Sequence, residues 1–156
     1  GIRETSRGLV GSEMCIRDRL DEEREAGMLD KHSYTDLVKR VDAMGEELRD
    51  MLDALKAEGK KIAGYGASAR GNTLITYYGI GRNYLDFLVD KNPLKHDHFS
   101  PNTRIPIKPV EAIETEKPDV LFVLAWNFFD EIKEQQADFV ARGGKFLVPL
   151  PTPRLV

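Results

Sequence analysis

The chain has 156 residues, which is enough for one domain or for one domain with an attached helical segment. It carries 23 Lys and Arg against 26 Asp and Glu, and this net charge of −3 gives no electrostatic basis for binding nucleic acid. No apolar run approaches the roughly 20 residues needed to cross a bilayer, so no membrane partner is expected. The single cysteine excludes an intrachain disulfide and a multi-thiolate metal site, and it predicts a reduced, cytoplasmic protein.

Residues 1–19 differ in composition from the rest of the chain and show no clear helical or strand period. The chain also does not begin with methionine. We interpret this segment as a non-native or disordered leader and leave it out of the fold prediction. Cys15 lies within it, so no catalytic thiol is predicted.

Residues 20–59 form a predicted helical arm. A short charged helix over Leu20–Met28 ends near Gly27, and Ser33 is a candidate N-cap for a longer helix that stops at Gly59. Apolar residues at alternating spacings of three and four place one stripe on the longer helix, which favours packing on the following domain or on a sister domain over a coiled coil. The stripe consists of Leu37, Val41, Met44, Leu48, Met51 and Leu55.

Strands and helices alternate from residue 60 to residue 156. The pattern predicts a three-layer, Rossmann-like α/β domain with a mostly parallel sheet, preceded by the helical arm. The predicted strands are 61–65, 84–90, 104–107, 119–126 and 145–151, and the predicted helices are 68–78, 109–116 and 128–144. Right-handed crossovers then bring the loops that follow the strands to one edge of the sheet, where ligands of such folds bind.

The stretch "GYGASARGN" follows the first strand and contains the spacing Gly64, Gly66, Ala69. Small residues here let the backbone approach a phosphate or a ribose, and the helix that follows offers unpaired N–H groups. Asp90 lies 24 residues after Gly66, at the end of the second strand, where a ribose-binding acid is expected. The same spacing also suits a tight strand-to-helix turn that binds nothing.

Other candidate residues lie on the loops of the same edge. Trp126 and Asn127 follow a buried strand, and an indole face beside an amide suits a base or a sugar, although a core-covering Trp with an Asn cap fits equally. His96 and His98 lie in a polar loop, which is more typical of a solvated surface than of a metal site, so no metal site is predicted. No catalytic triad, carboxylate pair or phosphate-binding lysine loop is recognisable from the sequence, which contains no G-x-x-x-x-G-K-[ST] motif.

Five blocks of the sequence resemble one known family in the correct order. They are "GYGASARGNTLITYYGI", "DKNPLK", "TRIPI", "PDVLFVLAWNFFDEI" and "GGKFLVPLP", within residues 34–151. Together they resemble the C-terminal domain of S-adenosylmethionine-dependent C-methyltransferases that act on nucleotide-linked deoxysugars. One departure is Pro101-Asn102-Thr103-Arg104, where the family usually has P-G-T-H, and the loop before it is also unusual; both concern the sugar preference more than the fold.

The resemblance implies an enzyme of three parts, of which this chain is the last. A zinc domain and a domain that binds S-adenosylmethionine and holds the catalytic groups come first, and the nucleotide-linked keto sugar lies between the second and third parts. No catalytic residue is therefore assigned to this chain, which alone is expected to be inactive. The residues that the resemblance assigns to substrate binding are Tyr65, Gly66, Ala67, Ser68, Arg70, Gly71, Asn72, Asp90, Trp126 and Asn127.

Two other functions remain open at this level. A stand-alone NAD(P)-binding domain of an oxidoreductase fits the glycine spacing and Asp90. A non-catalytic module, whose loops only pack on another domain, fits the same pattern without any ligand. The acceptor-binding domain is favoured because the ordered blocks continue through Trp126 and Asn127 to the last strand. The dinucleotide-binding pattern does not specify any residues in that part of the chain.

Overall fold

The computed structural model describes residues 7–156, with side chains from residue 16 onward. The chain divides into two compact units, Gly1–Ala43 and Met44–Val156. This division falls inside a helix, whereas the sequence placed the end of the arm at Gly59. The boundaries of the predicted leader and domains therefore stay predictions.

The first unit contains helix α1 (Arg7–Glu25) and the first half of helix α2 (Lys31–Ala57). Helix α1 begins 13 residues earlier than the predicted start at Leu20, because Arg, Glu, Leu and Met favour a helix even without a single apolar face. Part of the predicted leader is thus helical, and residues 1–6 lie outside the described residues. Exposed apolar side chains occur along this unit, including Leu29 and Tyr34.

The start of α2 corrects the predicted cap. The side chain of Asp30 accepts a hydrogen bond from the backbone N–H of His32 at 3.1 Å, which is the arrangement of an N-terminal cap. Ser33 lies inside the helix, and its hydroxyl instead donates to the carbonyl oxygen of Gly27 at 2.6 Å. Asp30 therefore begins the helix three residues before the predicted position.

The second half of α2 packs on the sheet domain. Leu48, Leu52 and Leu55 are buried, whereas Leu37 in the first half is 48% exposed. Gly45 lets the helix approach Tyr78 closely, since a Cβ atom there would lie 2.4 Å from the tyrosine ring. Packing against the following domain is confirmed for this half, with Leu52 buried and the predicted Met51 only half-buried.

One six-stranded sheet forms the centre of the second unit. Its strands are β1 (Ile62–Tyr65), β2 (Phe87–Val89), β3 (Ile107–Lys108), β4 (Val120–Val123), β5 (Lys145–Val148) and β6 (Arg154–Leu155). The order is β3-β2-β1-β4-β5-β6, and every neighbouring pair is parallel except β5 and β6. The predicted α/β class with a mostly parallel sheet is confirmed. The antiparallel β6 was not predicted, because two residues are too few to show a period.

Short helices connect the strands. They are α3 (Ala69–Tyr77), α4 (Ala112–Glu116), α5 (Phe129–Gln135) and α6 (Ala137–Ala141), with 3₁₀ turns at Pro93–Lys95 and Trp126–Phe128. The prediction of one helix over 128–144 was wrong, because the backbone leaves helical geometry at Gln136, with φ −106° and ψ 36°. Ile132 and Phe139 on either side of the break are both buried in the core.

Both faces of the sheet are covered. One face packs its alternate strand residues against α4, α5 and α6, and this cluster contains Tyr65, Val89, Val123 and Phe146. On β1, Gly64 points to the other face, where a Cβ atom would lie 2.4 Å from the side chain of Leu88. The strand order reverses beside β1, whose neighbours are β2 and β4, so the loops after these strands define the crevice where α/β sheets bind ligands.

Candidate functional site

The turn after β1 changes direction sharply and then begins α3. Gly66 has φ +93°, which side chains other than glycine rarely adopt, and its N–H donates to the carbonyl of Val89 at 2.8 Å. The hydroxyl of Ser68 accepts a hydrogen bond from the N–H of Gly71 at 3.0 Å and caps the helix. The predicted strand–turn–helix is therefore present at residues 62–77.

The small residues of this turn make room for the loop that follows β4. A Cβ atom on Gly66 would lie 2.8 Å from the Cβ atom of Ala125, and one on Gly71 would lie 2.7 Å from that of Leu124. The sequence predicted a close backbone approach here. In the structure, the neighbour that approaches is the protein's own second loop.

Asp90 joins the turn after β1 to the loop after β2. Its Oδ2 atom accepts hydrogen bonds from the N–H of Ala67 at 2.8 Å and from Nζ of Lys95 at 2.9 Å, and its Oδ1 atom accepts from the N–H of Asn92 at 2.9 Å. Lys95 also donates to the carbonyl of Ala67 at 2.9 Å. The protein's own N–H groups therefore already occupy most of the positions at which the Asp90 carboxylate could accept a hydrogen bond from a ribose hydroxyl.

These contacts keep the carboxyl of Asp90 ionised, although only 9% of the residue is exposed. Burial by itself acts to raise the pKa of Asp90. The hydrogen bond and the positive charge of Lys95, together with the backbone donors, outweigh burial and hold the pKa below its ordinary value. Asp90 thus has a structural role in positioning the turn after β1, and a role in ligand binding stays a prediction.

Trp126 lies beside the turn after β1, as the fold prediction required. The guanidinium carbon of Arg70 is 5.9 Å from the centre of the Trp126 ring, within the range of a cation–π contact. A small recess runs between the two loops, lined by residues that include Ser68, Arg70, Trp126 and Asn127. The structure therefore brings together candidates that are more than 50 residues apart in sequence.

A second cation lies on the other side of the 3₁₀ turn. Arg154 on β6 is 5.9 Å from the ring of Phe129 and lines a recess of about 530 Å³ with Trp126, Asn127 and other residues. Within residues 16–156, neither Arg70 nor Arg154 forms an ion pair with a carboxylate. Arg154 was not among the predicted site residues, because the strand that carries it was not predicted.

Two adjoining clefts open between the loop after β2 and helix α5. The first has a volume of about 260 Å³, and its walls include Gly66, Ala125, Phe128 and Ile132. The second has a volume of about 280 Å³ and is more polar, with His96, Glu111, Gln135 and Gln136 among its lining residues. Tyr65, Asp90 and Lys91 line both clefts.

Several cleft residues were missed by sequence reasoning. Lys91 belongs to the "DKNPLK" block, and Phe128 and Glu131 belong to the block that contains Trp126. Their position in the segments that follow β2 and β4 could have identified them as candidate site residues. Asn72, by contrast, was predicted, but it does not line either cleft, and its buried Oδ1 atom has no hydrogen-bond partner in the described part of the chain.

Tyr65 lines both clefts. The residue is 3% exposed, and the side chain of Gln136 is the polar neighbour of its buried hydroxyl. Burial, and then the negative charges of Glu131 and Asp90, raise the pKa of Tyr65 above its ordinary value, while the nearby Gln136 side chain partly offsets the rise. The hydroxyl is thus protonated at neutral pH and is available as a donor.

The two loop histidines bond to the backbone. Nε2 of His96 lies 2.7 Å from the carbonyl oxygen of Asp90, and Nδ1 of His98 lies 2.7 Å from that of His96. Among the described residues, no group of three or more His, Cys, Asp or Glu side chains is arranged to hold a metal ion. None of the helices in residues 7–156 is both long enough and apolar enough to span a membrane.

The strand order and the glycine turn after β1 define a doubly wound, Rossmann-like α/β domain with clefts at the carboxyl edge of its sheet. Residues 6–151 match the family described as the C-methyltransferase C-terminal domain, and the chain belongs to that family. It is also 33% identical over 142 residues to the C-methyltransferase NovU of Streptomyces niveus. That alignment covers 91% of this chain and 34% of the relative, so the chain spans about a third of the length of the curated relative it matches.

Proposed function

We propose that this chain is the acceptor-binding part of an S-adenosylmethionine-dependent C-methyltransferase that acts on a nucleotide-linked keto-deoxysugar. Membership of the C-methyltransferase C-terminal domain family supports the reaction class. The observation that carries the proposal is the meeting of the loops after β1 and β4, which places Arg70 over Trp126 beside an apolar cleft. An activated sugar offers matching chemistry: a flat base, a diphosphate and a polar ring.

The charges divide this surface into regions that suit different parts of such a ligand. Arg70 and Arg154 flank the turn Trp126–Phe128, and guanidinium groups without carboxylate partners suit a diphosphate. Asp90 and Glu131 line the neighbouring first cleft, but each is paired with a lysine, Asp90 with Lys95 and Glu131 with Lys91, and this balance of charge suits a neutral ring instead. The ligand then lies across the carboxyl edge of β1 and β4.

In this proposal the chain binds and orients the acceptor and contributes no catalytic residue. S-adenosylmethionine, bound by a separate donor domain, supplies the methyl group to the carbon beside the keto group of the sugar. The described residues fit that cofactor poorly, because the acid expected to bind its ribose, Asp90, already accepts three hydrogen bonds. The same observation argues against the NAD(P)-binding alternative.

Ligand-induced thermal stabilisation tests the proposal. We expect a deoxythymidine-diphosphate sugar to raise the melting temperature of the 156-residue chain, because a ligand at 100 times its dissociation constant adds about 2.7 kcal/mol of stability. NADH and S-adenosylmethionine are the comparison ligands. A response to NADH alone would indicate the oxidoreductase alternative, and no response to any of the three would indicate an interaction module.

Replacement of Arg70 tests the assigned surface. Arg70→Gln should weaken binding of the nucleotide sugar roughly tenfold, the typical worth of one charge-assisted hydrogen bond. Arg82→Gln is the matched control, because Arg82 is another exposed arginine but precedes β2 at the opposite edge of the sheet. Isothermal titration calorimetry of both variants measures the difference, and equal affinities would remove Arg70 from the site.

A further inference from the structure

Lys95 closes a ring of hydrogen bonds around the backbone of Ala67. Its Nζ atom donates to the carbonyl oxygen of Ala67 and to Oδ2 of Asp90, each at 2.9 Å. The same Oδ2 atom accepts the N–H of Ala67 at 2.8 Å. Hydrogen bonds that involve an ammonium or a carboxylate group are stronger than those between neutral groups. The loop after β2 therefore holds both backbone polar groups of Ala67.

Ala67 connects β1 to residues that are proposed to bind the acceptor. Ser68 follows it directly and is the N-cap of helix α3. Arg70, three residues after Ala67, lies over the ring of Trp126. Because the backbone is continuous over these few residues, a displacement of Ala67 also moves the start of α3. The ring of hydrogen bonds thus affects where Arg70 lies relative to Trp126.

Lys95 itself does not face the ligand site. It lines neither the two clefts beside Asp90 nor the two recesses beside Trp126. Both hydrogen bonds of its Nζ atom go to oxygen atoms of the protein. Any effect of Lys95 on binding must therefore pass through the residues that it holds.

The ring requires a cation because it brings two acceptor oxygens to one atom. The carbonyl oxygen of Ala67 and Oδ2 of Asp90 both contact Nζ of Lys95, and the side chain of Asp90 is only 11% exposed. Water screens a charge in such a position poorly. Without the ammonium group, the carboxylate and the carbonyl oxygen repel each other, and the carbonyl loses the hydrogen bond from Lys95. The turn after β1 then moves away from Asp90.

We propose that Lys95 is a positioning residue for acceptor binding, which acts through Asp90 and Ala67. Its effect is to fix the positions of Ser68 and Arg70 at the start of α3. This inference rests on the proposed function and deepens it, because it assigns to the site a residue that does not contact the ligand. A role in stability alone would leave the affinity of the folded protein unchanged, whereas a positioning role lowers it.

A second lysine–aspartate pair provides a matched control. Nζ of Lys56 donates to Oδ2 of Asp86 at 3.4 Å, and the same oxygen accepts the N–H of Ile62 at 3.2 Å. The side chain of Lys56 is 30% exposed, close to the 36% of Lys95. Asp86 precedes β2 and Ile62 begins β1, so this pair lies at the opposite edge of the sheet from the candidate site.

The test measures the affinity of the 156-residue chain for a deoxythymidine-diphosphate sugar by calorimetry, at a temperature where each variant is folded. Lys95→Met should weaken binding roughly three- to tenfold, about the worth of one hydrogen bond. Lys95→Arg keeps the charge and the donors, so it should restore most of the affinity. Lys56→Met should bind like the wild type, whatever its melting temperature.

A substitution of Asp90 tests the route of the effect and provides a second measurement if Lys95→Met alone does not fold. Addition of Lys95→Met to Asp90→Asn leaves no buried carboxylate unpaired, so the double variant should tolerate the loss of the lysine. If Lys95 acts through Asp90, this addition should change the affinity less than Lys95→Met does in the wild type. Compared with Asp90→Asn alone, the double variant should therefore bind almost equally well.

The remaining outcomes contradict the inference, each in a different way. Wild-type affinity of folded Lys95→Met removes Lys95 from the site and leaves the proposed function standing. Equal losses of affinity in Lys95→Met and Lys56→Met indicate a general effect of destabilisation. Additive losses from Lys95→Met and Asp90→Asn assign Lys95 to a direct contact with the ligand. Failure of the wild type to bind overturns the proposed function and this inference together.

Discussion

Both the backbone conformation and the packing at position 66 require glycine. Its φ of +93° is strained for any side chain, and the space where a Cβ atom would lie is already occupied by Ala125. From the sequence alone, the glycine could either admit a ligand or shape a turn. The structure supports the second role directly, because the group that approaches Gly66 is part of the protein.

Substitution at Gly66 should therefore reduce stability before it affects binding. We expect Gly66→Ala to lower the free energy of unfolding by about 2–4 kcal/mol, from a strained backbone and an overpacked contact. Gly79→Ala is the matched control, because Gly79 also has positive φ (+67°) but nothing within 4 Å of the Cβ position, so only about 1 kcal/mol should be lost. Urea unfolding of both variants gives the comparison, and equal losses would show that the contact with Ala125 is unimportant.

The elements of the second unit are joined by polar contacts as well as by the core. Glu116, at the end of α4, pairs with Lys61, which directly precedes β1, and with Lys108 on β3. The hydrogen bonds of Lys108 and then Lys61, followed by their charges, lower the pKa of Glu116 to about 2 from 4.5. One carboxylate thus connects a helix to two strands of the same sheet.

This pairing predicts a loss of stability in acid. Because the pKa of Glu116 is lower in the folded state, its contribution is complete above about pH 4.5 and disappears as the pH falls towards 2. Glu116→Gln should therefore lower stability at pH 7 and flatten the dependence of stability on pH between 4.5 and 2. Chemical unfolding across this range measures the slope.

A partner variant provides the control for Glu116. If the ion pair is responsible, Glu116→Gln should have a smaller effect in a Lys108→Met background than in the wild type, since the two residues share one interaction. Strict additivity of the two substitutions, or an unchanged acid slope, would contradict this explanation.

At the scale of the whole molecule, the sheet domain includes half of a helix that the sequence assigned to a separate arm. The second unit begins at Met44, and Leu48, Leu52 and Leu55 of α2 are buried in it. Loss of a buried leucine typically costs about 2–5 kcal/mol, and domains are stable by only about 5–15 kcal/mol in total. These three side chains therefore account for a large share of the stability of the fold.

Truncation tests that boundary. A fragment of residues 44–156 should fold cooperatively and bind the same ligands as the full chain. A fragment of residues 60–156 should fail to fold, because the sheet face that α2 covers becomes exposed. Circular dichroism and thermal melting distinguish the two fragments. Similar melting curves for both would support the domain boundary at Gly59 that the sequence predicted.

The local part of this architecture was determined by the sequence alone. Apolar runs, Gly66 and the position of Asp90 predicted the strands, the turn and the edge where they meet, because these signals act within a few residues. The closeness of Trp126 to that turn followed from the parallel order of the strands. The break at Gln136 and the strand at Arg154 carried no comparable signal, since no Gly or Pro marks the first and two residues make the second.

Only the tertiary structure decided what each residue of the edge does. Asp90 and Ala67, Gly66 and Ala125, and Lys91 and Glu131 are each paired over 23 to 59 positions of the chain, as the hydrogen bonds and close contacts show. A hydrogen bond or a van der Waals contact acts over a few ångströms, so its partner depends on how the sheet brings distant segments together. For that reason the carboxylate of Asp90, which was expected to face a ligand, proved to be hydrogen-bonded within the protein.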